Sequence, residues 1–301
     1  MTDAFADSRR DQVPSPSLVR SGALSSVRWL GEGPNRVRMA LLWLLLAAGV
    51  AQLMACAGAP ASNTTTTAEP ITDSDEPETR KRARIRVELA TNYFEQGQNT
   101  VALDEIKQSL VADPGYGPAY VLRGLVYMRL NDPRLAEDSF RRALQINPRD
   151  PDALHNYGWF TCNQARYAEA LQLFTQALAS PVYRGQAKTL MLQGTCQIRM
   201  GQVSEAEGSF ARAYELDPAN PYVGFNLANL QFRRGDFTKS QFVIRRINNS
   251  DLANAETLWL GIKVERKLNN SEAVGQLAQQ LERRYPKSPE WASYQRGSFH
   301  E

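Results

Sequence analysis

The chain is poor in histidine, cysteine and net charge. Only two histidines occur in 301 residues, His155 and His300, and they do not offer the spacing of a His-based metal site. Three cysteines exclude a disulfide-dense scaffold. With 35 basic against 32 acidic residues the formal charge is +3, far from the basic excess of a dedicated nucleic-acid binder. The longest apolar run, residues 39–55, has 17 residues, short of the roughly 20 that a bilayer-spanning helix needs. No nucleophile–base pair, His/Cys cluster or carboxylate group stands at catalytic or metal spacing. A hydrolase with an unseen site would need such convergent groups, so no enzyme activity, cofactor or metal is expected. What the chain does have is an ordinary globular hydrophobic content of 43%, with length enough for two domains or one long repeat array.

The first fifth reads as an address. Residues 1–38 are rich in Ser, Pro, Gly and Arg, and the uncharged run 39–55 follows Arg28, Arg36 and Arg38. This is the layout of a secretory signal, a positive flank before an apolar stretch. The stretch ends Leu53, Met54, Ala55, Cys56, which resembles the lipobox of bacterial lipoproteins. That resemblance implies diacylglyceryl attachment at Cys56, cleavage before it and acylation of the new amino group. Multiple acyl chains anchor lastingly where one would be marginal. Ala57 rather than Asp implies, by the same resemblance, transfer to the outer membrane. The stretch before the apolar run is long for a signal, so translation is expected to begin nearer that run. Residues 56–80 then form a lipidated cysteine and a disordered tether. Thr, Pro, Ser, Ala and acidic residues dominate it, with Ile71 its one large apolar residue. Such a stretch cannot bury enough surface to offset ordering entropy. A random coil of that length reaches roughly 25–30 Å.

From residue 81 to 288 the pattern is periodic. A small residue among apolar ones, an aromatic, a turn glycine, an alanine, a large residue four later and a closing proline recur. In the second repeat these are Gly124, Tyr127, Ala136, Phe140 and Pro148; in the third, Tyr157, Gly158, Ala170, Phe174 and Pro181. Repeats start near 83, 117, 151, 187, 221 and 254, with Gly97, Gly201 and Gly235 near turns. Apolar spacing within each is helical. This is the tetratricopeptide-repeat (TPR) pattern, and it predicts an all-α, right-handed superhelix of about six helix–turn–helix units. Residues 289–301 read as a C-terminal tail. The Arg pairs at 141–142, 233–234, 245–246 and 283–284 read as solvated helix faces.

A stack of this kind has a concave face lined by the first helix of each repeat. Taking repeat positions 2, 5, 9 and 12 as inward selects Val87, Phe94, Val121, Leu125, Met128, His155, Trp159 and Met191 as a groove. The face is more apolar than charged and suits an amphipathic helix or a strand; alternatively, about half of these residues pack against neighbouring helices. His155 reads as a helix-surface residue rather than a ligand or base. Cys162 and Cys196 lie late in the first helices of adjacent repeats. They either form a disulfide or serve as two buried thiols.

Five stretches together resemble one family. They are His155–Trp159, Arg166–Ala170, Pro181–Arg184, Leu260–Ile262 and Leu281–Pro286. The chain is similar over residues 40–296 to the PilF/PilW type IV pilus biogenesis lipoproteins, or pilotins. The resemblance implies TPRs on a lipid anchor at the periplasmic face of the outer membrane. It implies a partner, the type IV pilus secretin, whose localisation and multimerisation the protein promotes. A monomer is expected, bound to the membrane only by lipid, with no nucleic-acid partner. A TPR scaffold for another envelope assembly is the alternative. The long leader and Cys162 depart from the family pattern.

Overall fold

The computed structural model describes residues 75–299. Cys56, the signal segment and most of the tether lie outside the described residues. Thirteen α-helices and no strand occur among the described residues. Six are first helices of repeats: α1 Glu78–Glu95, α3 Gly117–Arg129, α5 Pro151–Asn163, α7 Gln186–Arg199, α9 Pro221–Arg234 and α11 Ala255–Lys267. Each is followed by its partner: α2 Asn99–Ala112, α4 Pro133–Ile146, α6 Tyr167–Leu178, α8 Val203–Leu216, α10 Phe237–Asn248 and α12 Ser271–Arg284. A short α13, Pro289–Gln295, closes the series.

Local chemistry explains where the helices start. Pro133, Pro151, Pro221 and Pro289 begin α4, α5, α9 and α13, where a missing N–H costs nothing. Asp132, Asp150, Asn220, Asn270 and Ser288 cap orphan amides with their side chains. At α11, Asn254 and Thr257 form a reciprocal capping box.

The turn inside each repeat is built the same way six times. A left-handed residue stands at Gly97, Asn131, Ala165, Gly201, Gly235 and Asn269. The next amide bonds back five residues, as Gln98 N–H to Tyr93 O at 2.8 Å and Arg166 N–H to Thr161 O at 2.9 Å. This pairing satisfies a carbonyl that the helix end would otherwise orphan. Asparagine and even Ala165 take the conformation for which glycine is the usual choice.

Packing within a repeat rests on one contact sixteen residues apart. A Cβ added to Gly124 would lie 2.6 Å from Phe140, one on Gly158 2.7 Å from Phe174, and one on Gly194 2.8 Å from Phe210. Each phenylalanine is fully buried, worth about 1.5–3 kcal/mol. Repeats one and five pair Ala90 with Ile106 and Ala228 with Ile244 in shared core clusters. Alanine is matched to the slimmer side chain. Fully buried Ala102, Ala136, Ala170 and Ala206 let the second helix approach in return. In repeat five Ser240 replaces that alanine, and its hydroxyl donates to Ala228 O at 2.7 Å.

Each helix packs against the next along the chain, and first helices also touch the following first helix in four steps: α1–α3, α3–α5, α5–α7 and α9–α11. Comparable contacts between successive second helices are absent among the described residues. The first helices therefore crowd the inner side of the stack.

Three boundary and surface expectations need correction. The first helix begins at Glu78, before the expected end of the tether, because Pro77 opens it and Glu78 supplies an acidic first turn. Residues 289–299 are not a plain tail. Trp291, Tyr294 and Phe299 pack on the Trp259–Ile262–Leu281 cluster and cover the open side of the sixth repeat. Arg245 is not merely a solvated cation. It holds Glu265, which is 1% exposed, at 2.6 Å, and Gln241 and Asn270 also donate to that carboxylate. A buried charge persists only when paired and hydrogen-bonded in this way.

The sixteen-residue contact is open to test. Gly158→Ala should destabilise the chain by about 1–3 kcal/mol through overpacking, and adding Phe174→Ile should recover much of that loss. Strictly additive losses in denaturant melts would show that the pair is not the constraint.

Candidate functional site

The groove is formed along the first helices. Val87, Phe94, Leu125, Met128, Trp159 and Met191 are half-buried, while Val121 is 9% and His155 6% exposed. The first six therefore present surface to solvent, and the last two do not. Cations brace the aromatic members. The guanidinium of Arg129 lies over the Phe94 ring at 3.6 Å from its centre and donates to Phe94 O. Arg199 lies over Trp159 at 5.2 Å and donates to Asn163 Oδ1 at 2.9 Å. Each cation comes from the next first helix but holds a ring of the preceding one. The groove floor is thus tied across repeat boundaries.

His155 is an interior residue, contrary to its reading as a surface one. The two extra residues before α7 bring Tyr183 inward, where it is 8% exposed and packs 6.5 Å from the His155 ring. His155 Nδ1 is 2.7 Å from Thr189 Oγ1, and Tyr183 Oη is 2.8 Å from the same oxygen. Thr189 donates its proton to Gly185 O. The Thr189 hydroxyl thus joins His155, Tyr183 and the Gly185 carbonyl in one buried cluster. Burial, with Lys188 nearby, lowers the His155 pKa from 6.5 to about 4. No group of three His, Cys, Asp or Glu side chains that could hold a metal occurs among the described residues. The geometry makes His155 a packing and register residue for the joint between repeats three and four.

Cys162 and Cys196 meet at that same joint. Their sulfurs are at bonding distance, with Cα atoms 6.0 Å apart and 34 residues between them in sequence. Both are essentially inaccessible to solvent and share a cluster with Ala170 and Phe174.

A second stretch of the inner face was not selected from the sequence. Phe225, Asn229 and Phe232 on α9 occupy positions 5, 9 and 12 of repeat five, whereas Trp259 and Lys263 on α11 fall one place further on, at positions 6 and 10 of repeat six. With Phe299 they line a hollow of about 610 Å³. Applying the position rule beyond the fourth repeat would have found the three residues of repeat five; in repeat six it selects Leu258, Ile262 and Glu265, which are buried.

Among the described residues no helix is long and apolar enough to cross a membrane. Repeated helix pairs with small–large contacts and left-handed turns define the chain as an all-α tetratricopeptide-repeat solenoid. Tetratricopeptide-repeat family models match residues 117–150, 139–172, 162–221 and 191–241. Within that class the chain is PilF/PilW-like. It is 26% identical over 209 residues to the type IV pilus assembly protein PilF of Pseudomonas aeruginosa, spanning 69% of this chain and 83% of that one. The solved structure of P. aeruginosa PilF superposes with a TM-score of 0.67 at 24% identity, covering 73% of this chain and all of that one, and speaks for the fold. The crystal structure of PilW, a type IV pilus biogenesis factor, gives a TM-score of 0.61 at 28% identity over 70% of this chain and 97% of that one.

The His155 burial has a pH signature. The unfolded chain takes up this proton near pH 6.5 and the folded chain only near 4. Between those values the unfolded state binds more protons, so stability present above pH 6.5 is lost as pH falls toward 4. The loss between pH 7 and pH 5 is about 2 kcal/mol. His155→Gln should show a visibly flatter stability profile over that interval in urea titrations. Equal slopes for the two proteins would refute a neutral, buried His155.

Proposed function

We propose that this chain is a non-enzymatic, lipid-anchored TPR adaptor of type IV pilus biogenesis. In this reading it binds the pilus secretin at the periplasmic face of the outer membrane and promotes its localisation and multimerisation. The observation that carries the proposal is the similarity to a type IV pilus assembly protein across 83% of that protein's length. The groove of Val87, Phe94, Leu125, Met128, Trp159 and Met191 offers a ridge of half-buried apolar side chains, the kind of surface that takes a helix or strand from a partner. Lipid on Cys56 would supply the destination and the groove the cargo contact. Joining them through one tether raises the effective concentration of cargo at the membrane. The chain works as a monomer and needs no cofactor.

The same reading places the protein in an oxidising compartment, where Cys162 and Cys196 form a disulfide. Their Cα separation of 6.0 Å falls within the range that a disulfide spans. The bond ties the first helices of repeats three and four, from position 12 of one to position 10 of the next.

Cys56→Ala should leave the folded array intact by circular dichroism but send secretin multimers away from the outer membrane. Normal outer-membrane multimers in that strain would overturn the adaptor mechanism. Recovery of peptidoglycan enzymes in place of secretin on purification would point instead to another envelope assembly. For the cysteines, mass analysis of unreduced, alkylated protein should find no modified Cys162 or Cys196. Alkylation at both would dispose of the bond.

A further inference from the structure

The hollow at the end of the inner face has a chemistry different from the rest of the groove. Phe225, Phe232, Trp259 and Phe299 wall it, and Arg233, Lys263 and Lys267 stand along one edge. Glu256 and Glu290 line the other, at the starts of α11 and α13. The hollow is therefore polarised, cationic where α9 and α11 end and anionic where helices begin. Its volume of about 610 Å³ lies in the ordinary range for ligand pockets.

Two features make the cationic edge more than helix-end decoration. Basic residues in a last turn complement the macrodipole, and that accounts for Arg233 and Lys267. Lys263 lies a full turn further in from Lys267, where that effect has faded. Its Nζ stands 5.6 Å from the Phe232 ring centre and 5.7 Å from that of Trp259, so the ammonium and two aromatic faces meet at one point. Phe299 in turn stacks on Trp259 at 5.3 Å between ring centres, and the Arg266 guanidinium lies over the Phe299 ring, 3.8 Å from its centre. Lys263 and Arg266 together brace the aromatic wall.

We propose that this hollow binds an acidic peptide segment bearing an aromatic side chain. The guest ring inserts among Phe225, Phe232 and Trp259, and the neighbouring carboxylates meet Lys263, Lys267 and Arg233. Glu256 and Glu290 fix the polarity, since a carboxylate at their edge would be repelled. Phe225, Asn229 and Phe232 continue the inner-face positions of earlier repeats into the hollow, so an extended chain can enter it from the groove. The site goes beyond the secretin reading and stands apart from it, because the recognition chemistry is the same whichever protein carries the segment.

The test uses the full lipidated chain in detergent and a fluorescein-labelled Ser-Phe-Glu-Glu peptide followed by anisotropy. Binding should weaken at least tenfold when the peptide's Phe becomes Ala or its Glu residues become Gln. It should weaken at least tenfold in Lys263→Glu and in Phe232→Ala, and it should fall with added salt. Phe242→Ala, on the outer side at 72% exposure, should bind as the parent does. Circular dichroism on each variant separates a lost site from a lost fold. Equal affinity for the Glu and Gln peptides, full binding by a folded Lys263→Glu, or no binding at millimolar peptide would each overturn the site. None of these results bears on secretin localisation in the Cys56→Ala strain, so the two readings fail separately.

Discussion

The contact between a small residue on the first helix and a large one sixteen positions later governs this molecule. It sets how near the two helices of a repeat can lie. A glycine leaves room for a phenylalanine, as at Gly158 and Phe174, and an alanine for an isoleucine, as at Ala228 and Ile244. Protein interiors are close-packed, and an extra methyl group is felt at once. The size of one residue is thus constrained by the size of another on the facing helix. The interhelix distance follows, and from it the pitch at which repeats stack.

Because that contact turns the small residues toward the paired helix, other positions of the first helices are left to form the inner face. The molecule supports them across repeats rather than within one. Arg129 reaches back over Phe94, Arg199 over Trp159 and Lys263 over Phe232. A ring held by the next repeat cannot swing without disturbing its neighbour, so the inner face is stiff, and for the partner proposed above that would lower the ordering cost of binding. The joint between repeats three and four is braced further by Tyr183, His155 and Thr189 on one side and by Cys162 with Cys196 on the other.

The repeat architecture was legible because its signals are positional and chemical at once. Gly124, Gly158 and Gly194 recur at fixed distance from Phe140, Phe174 and Phe210, and nothing but a repeated helix pair explains that. What escaped notice did so for physical reasons. Ala165 and Asn131 adopt the left-handed turn without announcing it, since only glycine marks that conformation in a sequence. The helix α13 carries no repeat pattern, because about two turns of helix cover an end instead of continuing a stack. His155 shares its position number with groove residues, yet the inserted Tyr183 covers it. Arg245 looked like half of a solvated pair because its partner, Glu265, is twenty residues away in sequence and hidden in the core. The inner face of repeat five was readable by the same rule that selected Trp159; in repeat six the exposed inner residues are shifted by one, and the rule lands on buried Leu258, Ile262 and Glu265. Degraded core positions such as Ser240 drew attention away from intact inner ones.

The short α13 also changes how the array comes apart. In a stack whose units touch only their neighbours, a terminal unit has half the support of an internal one. Trp291, Tyr294 and Phe299 give the sixth repeat a second neighbour. At the other end Ile85 and Val111 remain exposed at 49% and 84%, and among the described residues the α1–α2 pair packs on α3 and nothing beyond it. Among the described residues the α13 end is thus the better supported one, and unzipping from α1 toward α13 would leave the aromatic hollow as the last part of the inner face to lose its shape.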